Sequence, residues 1–293
     1  MTAFHRVSLP DGLEVWAPSP LEAAVLYREI VTERTYVQQG ISLPDGAVVF
    51  DVGANIGLFT VYVARTVPGA RIHAFEPIPD LFDALTRNLA DHAPQAQAHH
   101  VGLAARAGEA IFTFDRFMTL GATMYPDVWK GGADRSASLA SWVVGAIADM
   151  HHVQPTRVTG MLMAVARNPI GRVALIVAAV PVLAVMTARQ RIFLKRHRCR
   201  LQTLSSVLAQ SGVGAVDLVK IDVEGAEEEV LRGIADDDWP RLRQFVIEVH
   251  DIEGRAGRLA GMLDARGYRT VRKREDWALH ALLGISTLYA VRP

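Results

Sequence analysis

The sequence has very little cysteine: Cys199 is the single one among 293 residues. A lone thiol forms no disulfide within the chain and supplies no cysteine cluster for a metal. Its sequence neighbours are basic, and cationic neighbours can lower the pKa of a thiol. Because no signature of a catalytic cysteine accompanies it, we expect Cys199 to be an ordinary structural residue.

Neither sign of charge is in excess, since the 31 lysines and arginines equal the 31 aspartates and glutamates in number. Proteins that bind nucleic-acid phosphates usually carry a basic excess, so the composition gives no reason to expect a nucleic-acid partner. Apolar residues make up 50% of the chain and charged residues 21%. This balance excludes a disordered chain and predicts a sizeable buried core.

The pattern also lacks a secretory leader and a full-length membrane span. The first residues, MTAFHRVSLPDGLEVW, contain no apolar core with a small-residue cleavage site, so a cytoplasmic location is expected. An apolar run at residues 173–186 is shorter than the roughly 20 residues that a span needs, and it contains Pro181. A buried or lid helix is favoured, and a peripheral membrane or oligomer contact through residues 173–198 is the alternative.

Short apolar runs alternate with helical segments over most of the chain. Strands are predicted at residues 13–16, 47–51, 71–75, 98–103, 109–114, 216–222, 244–249, 268–272 and 286–291, and helices at 21–39, 58–65, 79–92, 226–231 and 255–266. Ser19 is the expected N-cap of the first helix. This alternation predicts an α/β fold, a doubly wound and mostly parallel sheet with its final two strands at an antiparallel edge.

Residues 117–200 break this alternation. They contain Pro126, paired glycines, a helical stretch at 136–150 and the apolar run. Connections in compact domains are usually short, and one this long is usually functional. We therefore interpret residues 1–293 as a single domain. Its parts are an N-terminal strand and helix (1–46), a catalytic core (47–116 and 201–293) and an inserted helical cap (117–200).

The sequence FDVGANIG, residues 50–57, ends one predicted strand and opens a helix. Gly53 and Gly57 permit positive φ and a close approach of a ligand to the backbone. Glu76 ends the next strand, 76 − 51 = 25 residues after Asp51, where an acidic residue can accept hydrogen bonds from ribose hydroxyls. The spacing is not GxGxxG and nothing suggests a hydride-transfer partner, so S-adenosylmethionine is favoured over NAD as the cofactor.

Four motifs in this order, FDVGANIG, HAFEP, KIDVEGAE and IEVH, resemble the FkbM family of methyltransferases. The likeness covers about residues 7–116 and 201–292 and leaves out the insertion. It implies a Rossmann-like class I methyltransferase with a seven-stranded sheet, S-adenosylmethionine as cofactor and hydroxyl groups of natural products, polyketides or sugars as acceptors. The residues then expected to bind the cofactor are Asp51, Gly53, Asn55, Gly57, Glu76, Pro77 and Asp222.

One departure from the class I pattern follows the third strand. Residues 102–105 contain no acidic residue, although many class I enzymes hold the adenine amino group there. Adenine contacts must then come from the backbone, from His99 or from His100.

Asp222, Glu248 and His250 are the candidates for the chemistry, because they lie at the carboxyl ends of neighbouring predicted strands. Strand alternation places Glu248 and His250 on the same side of the sheet. A neutral His250 is expected to take the proton of an acceptor hydroxyl, with a nearby carboxylate stabilising the imidazolium. Alternatively, the three side chains hold a divalent cation such as Mg²⁺ that acidifies the hydroxyl.

The sequence leaves the acceptor open between a small molecule and a carrier-bound chain. A rival within enzymes is methylation at carbon, for example of a prenyl diphosphate held by the basic residues 189–198. Trp129, Trp142 and Phe193 would then stabilise a cation. A rival outside enzymes is a non-catalytic scaffold that binds S-adenosylmethionine and a partner protein.

Overall fold

The computed structural model describes residues 4–115, 118–124, 139–274 and 277–292. Its strands are β1 (His5–Ser8), β2 (Glu14–Ala17), β3 (Val48–Val52), β4 (Arg71–Phe75), β5 (Gln97–His99), β6 (Gly102–Leu103), β7 (Gly108–Asp115), β8 (Met118–Thr123), β9 (Leu194–Gln202), β10 (Leu218–Ile221), β11 (Gln244–His250), β12 (Arg269–Lys273) and β13 (Ile285–Val291). Its α-helices are α1 (Pro20–Tyr27), α2 (Leu58–Thr66), α3 (Pro79–His92), α4 (Leu139–Val153), α5 (Arg157–Arg167), α6 (Pro169–Phe193), α7 (Leu204–Ser211), α8 (Glu227–Arg232), α9 (Arg255–Asp264) and α10 (Ala278–Leu283).

A seven-stranded sheet with the order β12-β13-β11-β10-β3-β4-β5 forms the centre of the molecule. β13 is antiparallel to both of its neighbours, and the other pairs are parallel. Every residue of β3, β10 and β11 is buried, as expected for strands covered by helices on both faces. The strand order reverses between β3 and β10, so a ligand crevice is expected at their carboxyl ends. The predicted mostly parallel sheet is confirmed.

A second sheet, with the order β6-β9-β7-β8, corrects part of the prediction. The strand predicted at 98–103 is divided: β5 lies in the central sheet and β6 pairs with β9. The strand predicted at 109–114 is β7, which pairs with β9 and not with the central sheet.

The insertion at 117–200 is also not entirely helical, because β8 and most of β9 lie inside it. The basic residues that follow α6 alternate between exposed and less exposed positions along β9, from Lys195 to Leu201. This period of two is a strand signal that the excess of arginines concealed. Cys199 is buried there, and burial raises the pKa of its thiol to about 12, in agreement with a structural role.

The single helix predicted at 21–39 is wrong beyond its first two turns. Ser19 caps it as expected, since its side chain accepts a hydrogen bond from the backbone N–H of Glu22. After α1 the chain continues through a π-helical turn, Arg28–Thr32, and a 3₁₀ turn, Thr35–Val37. Arg34, between them, has a left-handed φ of 53°. These turns bury Tyr36 against the core.

Three helices, α4 to α6, form the inserted cap. α4 packs on α5, and an aspartate on α4, Asp149, accepts the backbone N–H of Ala278 at the start of α10 at 2.8 Å. The first part of the stretch predicted as helical, residues 136–138, lies outside the described residues. Among described helices no single one is long and apolar enough to cross a membrane, and one bent pair, Arg157–Arg167 with Pro169–Pro181, passes that test by length and composition.

Asn88 on α3 fastens the N-terminal hairpin to the loop after β3. Its side chain accepts the N–H of Trp16 at 2.7 Å and donates to the carbonyls of Trp16 and Ile56 at 3.0 and 2.8 Å. The Asn88 side chain is buried, so its amide depends on these protein partners.

We expect Asn88→Ala to lower the free energy of unfolding by about 2–4 kcal/mol, because it leaves buried backbone groups unpaired. Chemical denaturation followed by circular dichroism measures this. Asp91→Ala on the same helix is the matched control, since its ion pair with Arg6 is exposed and should cost about 1 kcal/mol or less. Equal stability of the two variants would contradict the role of Asn88.

Candidate active site

A cavity of about 550 Å³ lies at the carboxyl ends of β3, β10 and β11, under α1, α4 and α10. Most of its wall is apolar. The titratable residues that line it are Glu22, Glu29, Tyr36, Glu76, Asp149, Lys220, Asp222, Glu224, Glu248 and His280. Of the residues predicted from sequence, Gly53, Asn55, Glu76, Pro77, Asp222 and Glu248 line the cavity, whereas Asp51, Gly57 and His250 do not.

The glycine turn after β3 brings two strand ends together. Gly53 has φ +77°, and a Cβ built there would overlap the backbone carbonyl of Asp222. Gly53 thus permits the close approach of the neighbouring strand, and its contact with a ligand stays a prediction. At Gly57, with φ +85°, a Cβ would lie 2.5 Å from Leu85 on α3. Both glycines therefore set the shape of the turn.

Glu76 has its carboxylate fixed at the edge of the cavity by two backbone donors. The N–H groups of Asn55 and Ile78 donate to its two oxygens at 3.0 and 2.9 Å. Burial raises the pKa of Glu76 to about 8 in spite of these bonds. A carboxylate in this setting, beside the glycine turn, suits the paired hydroxyls of a ribose.

A smaller hollow of about 20 Å³ adjoins the cavity beyond Pro77. It is lined by apolar groups and backbone, including Gly102, Leu103, Phe112 and Val223. The neighbouring histidines face elsewhere. His99 stacks on Phe75 with ring centroids 4.7 Å apart, and His100 stacks on Phe82 at 4.4 Å. Neither histidine lines the cavity, which leaves backbone and apolar contacts for an adenine ring.

Lys220, which the sequence did not single out, is buried at the centre of this region. Its ammonium donates to the carbonyl of Gly53 at 2.8 Å and pairs with Asp51 at 3.2 Å and Asp222 at 3.4 Å. Burial alone would lower the pKa of Lys220, but the two carboxylates raise it above its ordinary value. The lysine therefore stays charged. Asp51 also accepts the hydroxyl of Thr60 at 2.7 Å, which explains its burial behind the cavity.

Tyr36 joins the N-terminal turn to the strand ends. Its hydroxyl contacts Glu29 at 3.0 Å and Asp222 at 3.2 Å, and its ring lies 5.2 Å from the Lys220 ammonium. Burial, and then the carboxylates of Asp222 and Glu29, raise the pKa of Tyr36 well above 10. Tyr36 is therefore a neutral donor that orients carboxylates. Tyr36 precedes the four motifs in the sequence, and nothing in the pattern around it assigned it this role.

The carboxylates of Glu224 and Glu248 face the cavity beside Asp222. Burial, and then the charge of Asp222, raise the pKa of Glu248 well above its ordinary value. Burial likewise raises the pKa of Glu224 to about 7, against the opposing effect of His250. A buried carboxylate with a raised pKa is a stronger base than one in water, but it accepts a proton only once the pH is high enough to ionise it.

His250 differs from the neutral base that the sequence suggested. It is buried, and its ring nitrogens lie 3.0 Å from Glu224 and 3.3 Å from Glu227. Burial alone would lower its pKa, but the two glutamates raise it well above 6.5. An imidazolium held between carboxylates cannot accept a proton. Strand alternation gave the side of the sheet correctly, but not the charge of the ring.

Glu227 at the start of α8 is more than a helix-start acid. It is fully buried, accepts the N–H of Gly225 at 2.7 Å and pairs with Arg255 at 3.0 Å. Together with His250 these contacts fix the loop that carries Glu224, whose φ of 52° is left-handed.

A candidate metal-binding group differs in one member from the one predicted. Glu224, Glu248 and His250 each offer a ligand atom, and these atoms lie within 4.8 Å of one another. The sequence grouped Asp222 with Glu248 and His250, whereas Asp222 pairs with Lys220 and Tyr36. The group has the oxygen and nitrogen ligands that divalent cations accept.

These features define a class. The fold is that of a Rossmann-like class I methyltransferase. Its central sheet has one antiparallel strand, β13, next to the edge strand β12, a glycine turn follows β3, and an acidic residue follows β4. Such a fold implies S-adenosylmethionine as cofactor. The chain belongs to the FkbM methyltransferase family: the family model described as the methyltransferase FkbM domain matches residues 51–270.

Individual relatives support this membership. The chain is 33% identical over 273 residues to "31-O-demethyl-FK506 methyltransferase FkbM" of Streptomyces tacrolimicus, covering 92% of this chain and 91% of that protein. It is 33% identical over 306 residues to "AMB antimetabolite synthetase AmbE" of Pseudomonas aeruginosa, covering 98% of this chain and 12% of that one.

Among solved structures, "Methyltransferase FkbM from Methylobacillus flagellatus KT" aligns with a TM-score of 0.44 and 12% identity, covering 91% of this chain and 52% of the other. The family assignment rests on the sequence matches, and the fold assignment rests on the strand order.

We expect Lys220→Met to lower the free energy of unfolding by about 3–5 kcal/mol, because it leaves buried carboxylates without their cation. Denaturant titration measures this. Adding Asp222→Asn to Lys220→Met should recover part of the loss, since it removes one of the stranded charges. Lys273→Met, which removes a partly buried lysine that contacts Gln38, is the control and should cost much less. A Lys220→Met protein as stable as the control would contradict the role of Lys220.

Proposed function

We propose that this protein transfers the methyl group of S-adenosylmethionine to a hydroxyl oxygen of a largely apolar natural product. The observation that carries the proposal is the continuity of one cavity. It contains the turn residues and Glu76 at one side, the carboxylates of Asp222, Glu224 and Glu248 at the centre, and apolar side chains around them. A donor and an acceptor bound in this space would meet at the carboxylates.

The donor would lie along the carboxyl ends of β3 and β4. The Glu76 carboxylate, fixed by two backbone N–H groups, would accept the ribose hydroxyls. The adenine ring would lie in the part of the cavity that is lined by Pro77, Ile78 and Phe112, through apolar contact. When bound, the cofactor supplies a methyl group activated by its sulfonium. The protein then has only to place the nucleophile and remove its proton.

Glu248 is the group that best fits removal of the proton. It lines the cavity, unlike His250, and burial and neighbouring carboxylates raise its pKa. The imidazolium of His250 pairs with Glu224, and the ammonium of Lys220 pairs with Asp222. The two cations therefore offset part of the negative charge around Glu248. Asp222, paired with Lys220 and Tyr36, is better placed to orient than to accept a proton.

The cavity wall favours an uncharged acceptor over a diphosphate. Among the described lining residues, Lys220 is the single lysine or arginine, and several carboxylates surround it. A prenyl diphosphate would meet repulsion there, which argues against methylation at carbon of such a substrate. The name of the Streptomyces relative specifies methylation of a demethylated hydroxyl oxygen on a natural product, which supports the same acceptor class.

A divalent cation such as Mg²⁺ is a second candidate for activating the hydroxyl. Its support is the grouping of Glu224, Glu248 and His250 within ligand range of one another. For His250 to bind a cation, it would first have to lose the proton that its two glutamates stabilise. The cation therefore competes with the proton, and metal dependence would increase with pH.

Donor affinity should rise with pH if Glu76 binds the ribose as a carboxylate. Its pKa of about 8 means that donor binding releases a proton below that pH. We expect the affinity to rise about tenfold per pH unit below 8 and to level off above it, as measured by calorimetric titration. Glu76→Gln should lose this dependence and weaken binding by about 1–3 kcal/mol at high pH.

Asp83→Asn on α3 is the control for that measurement, because it removes an exposed carboxylate without touching the cavity. A folded Glu76→Gln protein with unchanged donor affinity would overturn the placement of the donor.

The Glu248 side chain should matter more for turnover than for binding of the donor. We expect Glu248→Gln to lower kcat about 10²–10⁴-fold, the usual contribution of a positioned base, while calorimetry shows donor affinity nearly unchanged. In the parent protein kcat should rise with pH through a pKa well above 4.5, and this rise should be absent in the variant. Glu109→Gln, an exposed change on β7, is the control.

If a chelator abolishes turnover and Mg²⁺ restores it, the cation and not the free carboxylate activates the hydroxyl. If donor binds but Glu248→Gln turns over normally, Glu248 is not the base.

A further inference from the structure

Residues 150–216 have a charge composition unlike the rest of the chain. They contain no aspartate or glutamate, but nine arginines and lysines. Because the whole chain is balanced, this interval carries a local positive charge that other parts of the sequence offset. Such a segment attracts an anionic partner.

The first helices of this interval form a bent elbow. The chain bends by 120° at Asn168, between α5 and the first half of α6. The bend is held by local contacts: Arg172 donates to the carbonyl of Ala166 at 2.6 Å, and the Asn168 side chain accepts the N–H of Ile170 at 2.9 Å. Gly171 leaves no room for a side chain against the carbonyl of Val165. The elbow is thus a built feature and not a loose turn.

Both arms of the elbow expose apolar side chains at helical spacing. Val158, Met161 and Val165 lie on one face of α5, and Ile170, Val173 and Val177 lie on one face of α6. Ile170 is 80% exposed and Met161 70%. None of these six side chains lines the cavity, whose cap wall comes from α4. Exposed apolar side chains grouped in this way often mark an interaction site.

We propose that the elbow formed by α5 and α6 seats this protein peripherally on an anionic lipid surface. The two apolar faces enter the boundary between headgroups and acyl chains, and the exposed arginines 157, 167 and 172 lie at the level of the phosphates. An anionic bilayer matches both properties at once, exposed apolar side chains and exposed positive charge. A second copy of this chain would bring the same positive charge to the contact and be repelled.

The proposal does not depend on the acceptor or on methyl transfer, because it uses side chains outside the cavity. Residues 173–181, expected from sequence as a buried or lid helix, are exposed along one face instead. A bent pair with one arginine at its start and two close to the bend fits the interface plane better than a crossing.

Vesicle flotation with the full chain tests the proposal. We expect it to float with vesicles of phosphatidylcholine mixed with phosphatidylglycerol, to float much less with phosphatidylcholine alone, and to be released in part by high salt. The double variant Val173→Asp with Val177→Asp should lower partitioning at least about tenfold. Ile111→Asp, a change at an exposed apolar residue on β7, is the matched control and should float like the parent.

A second variant removes charge without changing the apolar faces. Arg157→Gln with Arg167→Gln should also weaken binding to anionic vesicles about tenfold or more, and Arg172 is left intact because it holds the bend. Circular dichroism and donor binding confirm folding of each variant. The proposal is overturned if the parent does not float, or if the variants float equally well. It is also overturned if light scattering shows a dimer that the Val173 and Val177 changes dissociate.

Discussion

The buried ammonium of Lys220 is the interaction on which the site depends. It contacts the carbonyl of Gly53 and the carboxylates of Asp51 and Asp222, so one charge joins the end of β3, the glycine turn and the end of β10. Without it, the strand ends at the reversal of the sheet would place carboxylates together with no counter-charge. Because Gly53 lacks a side chain, the two strand ends also approach closely enough for this contact to form.

A second cation, His250, has the same function one strand further along. It lies between Glu224 and Glu227, and Arg255 completes the pairing of Glu227. Lys220 therefore lies in the cavity wall and His250 behind it, with several carboxylates at the cavity surface. The two cations offset part of the buried negative charge and oppose the rise in pKa that burial causes. Glu248, which faces the cavity with the pKa raised by burial, is the group that results.

Local signals in the sequence were enough for most of the central sheet and for the position of Glu76 at the cavity. β4 and α3 have the predicted bounds, and Glu76 lies where its spacing from Asp51 placed it. The side of the cavity with Asp222 and Glu248 was harder to predict, because it depends on contacts between distant parts of the chain. Tyr36 meets Asp222 across 186 positions, and no motif pointed to that contact. The protonation of His250 depends likewise on two glutamates whose positions only the folded loop defines.

The cap links the acidic region around the cavity to the basic elbow formed by α5 and α6. Glu33 binds Arg28, His152 and Trp277 at 3.0, 2.7 and 2.9 Å, so the N-terminal turn, α4 and the start of α10 meet at one carboxylate over the cavity. The inner face of α4 lines the cavity, while α5 turns its apolar side chains outward. A surface that attracts the basic elbow would repel the acidic cavity region. The protein would therefore sit with a defined orientation, because α4 links the two regions rigidly through Asp149 and His151.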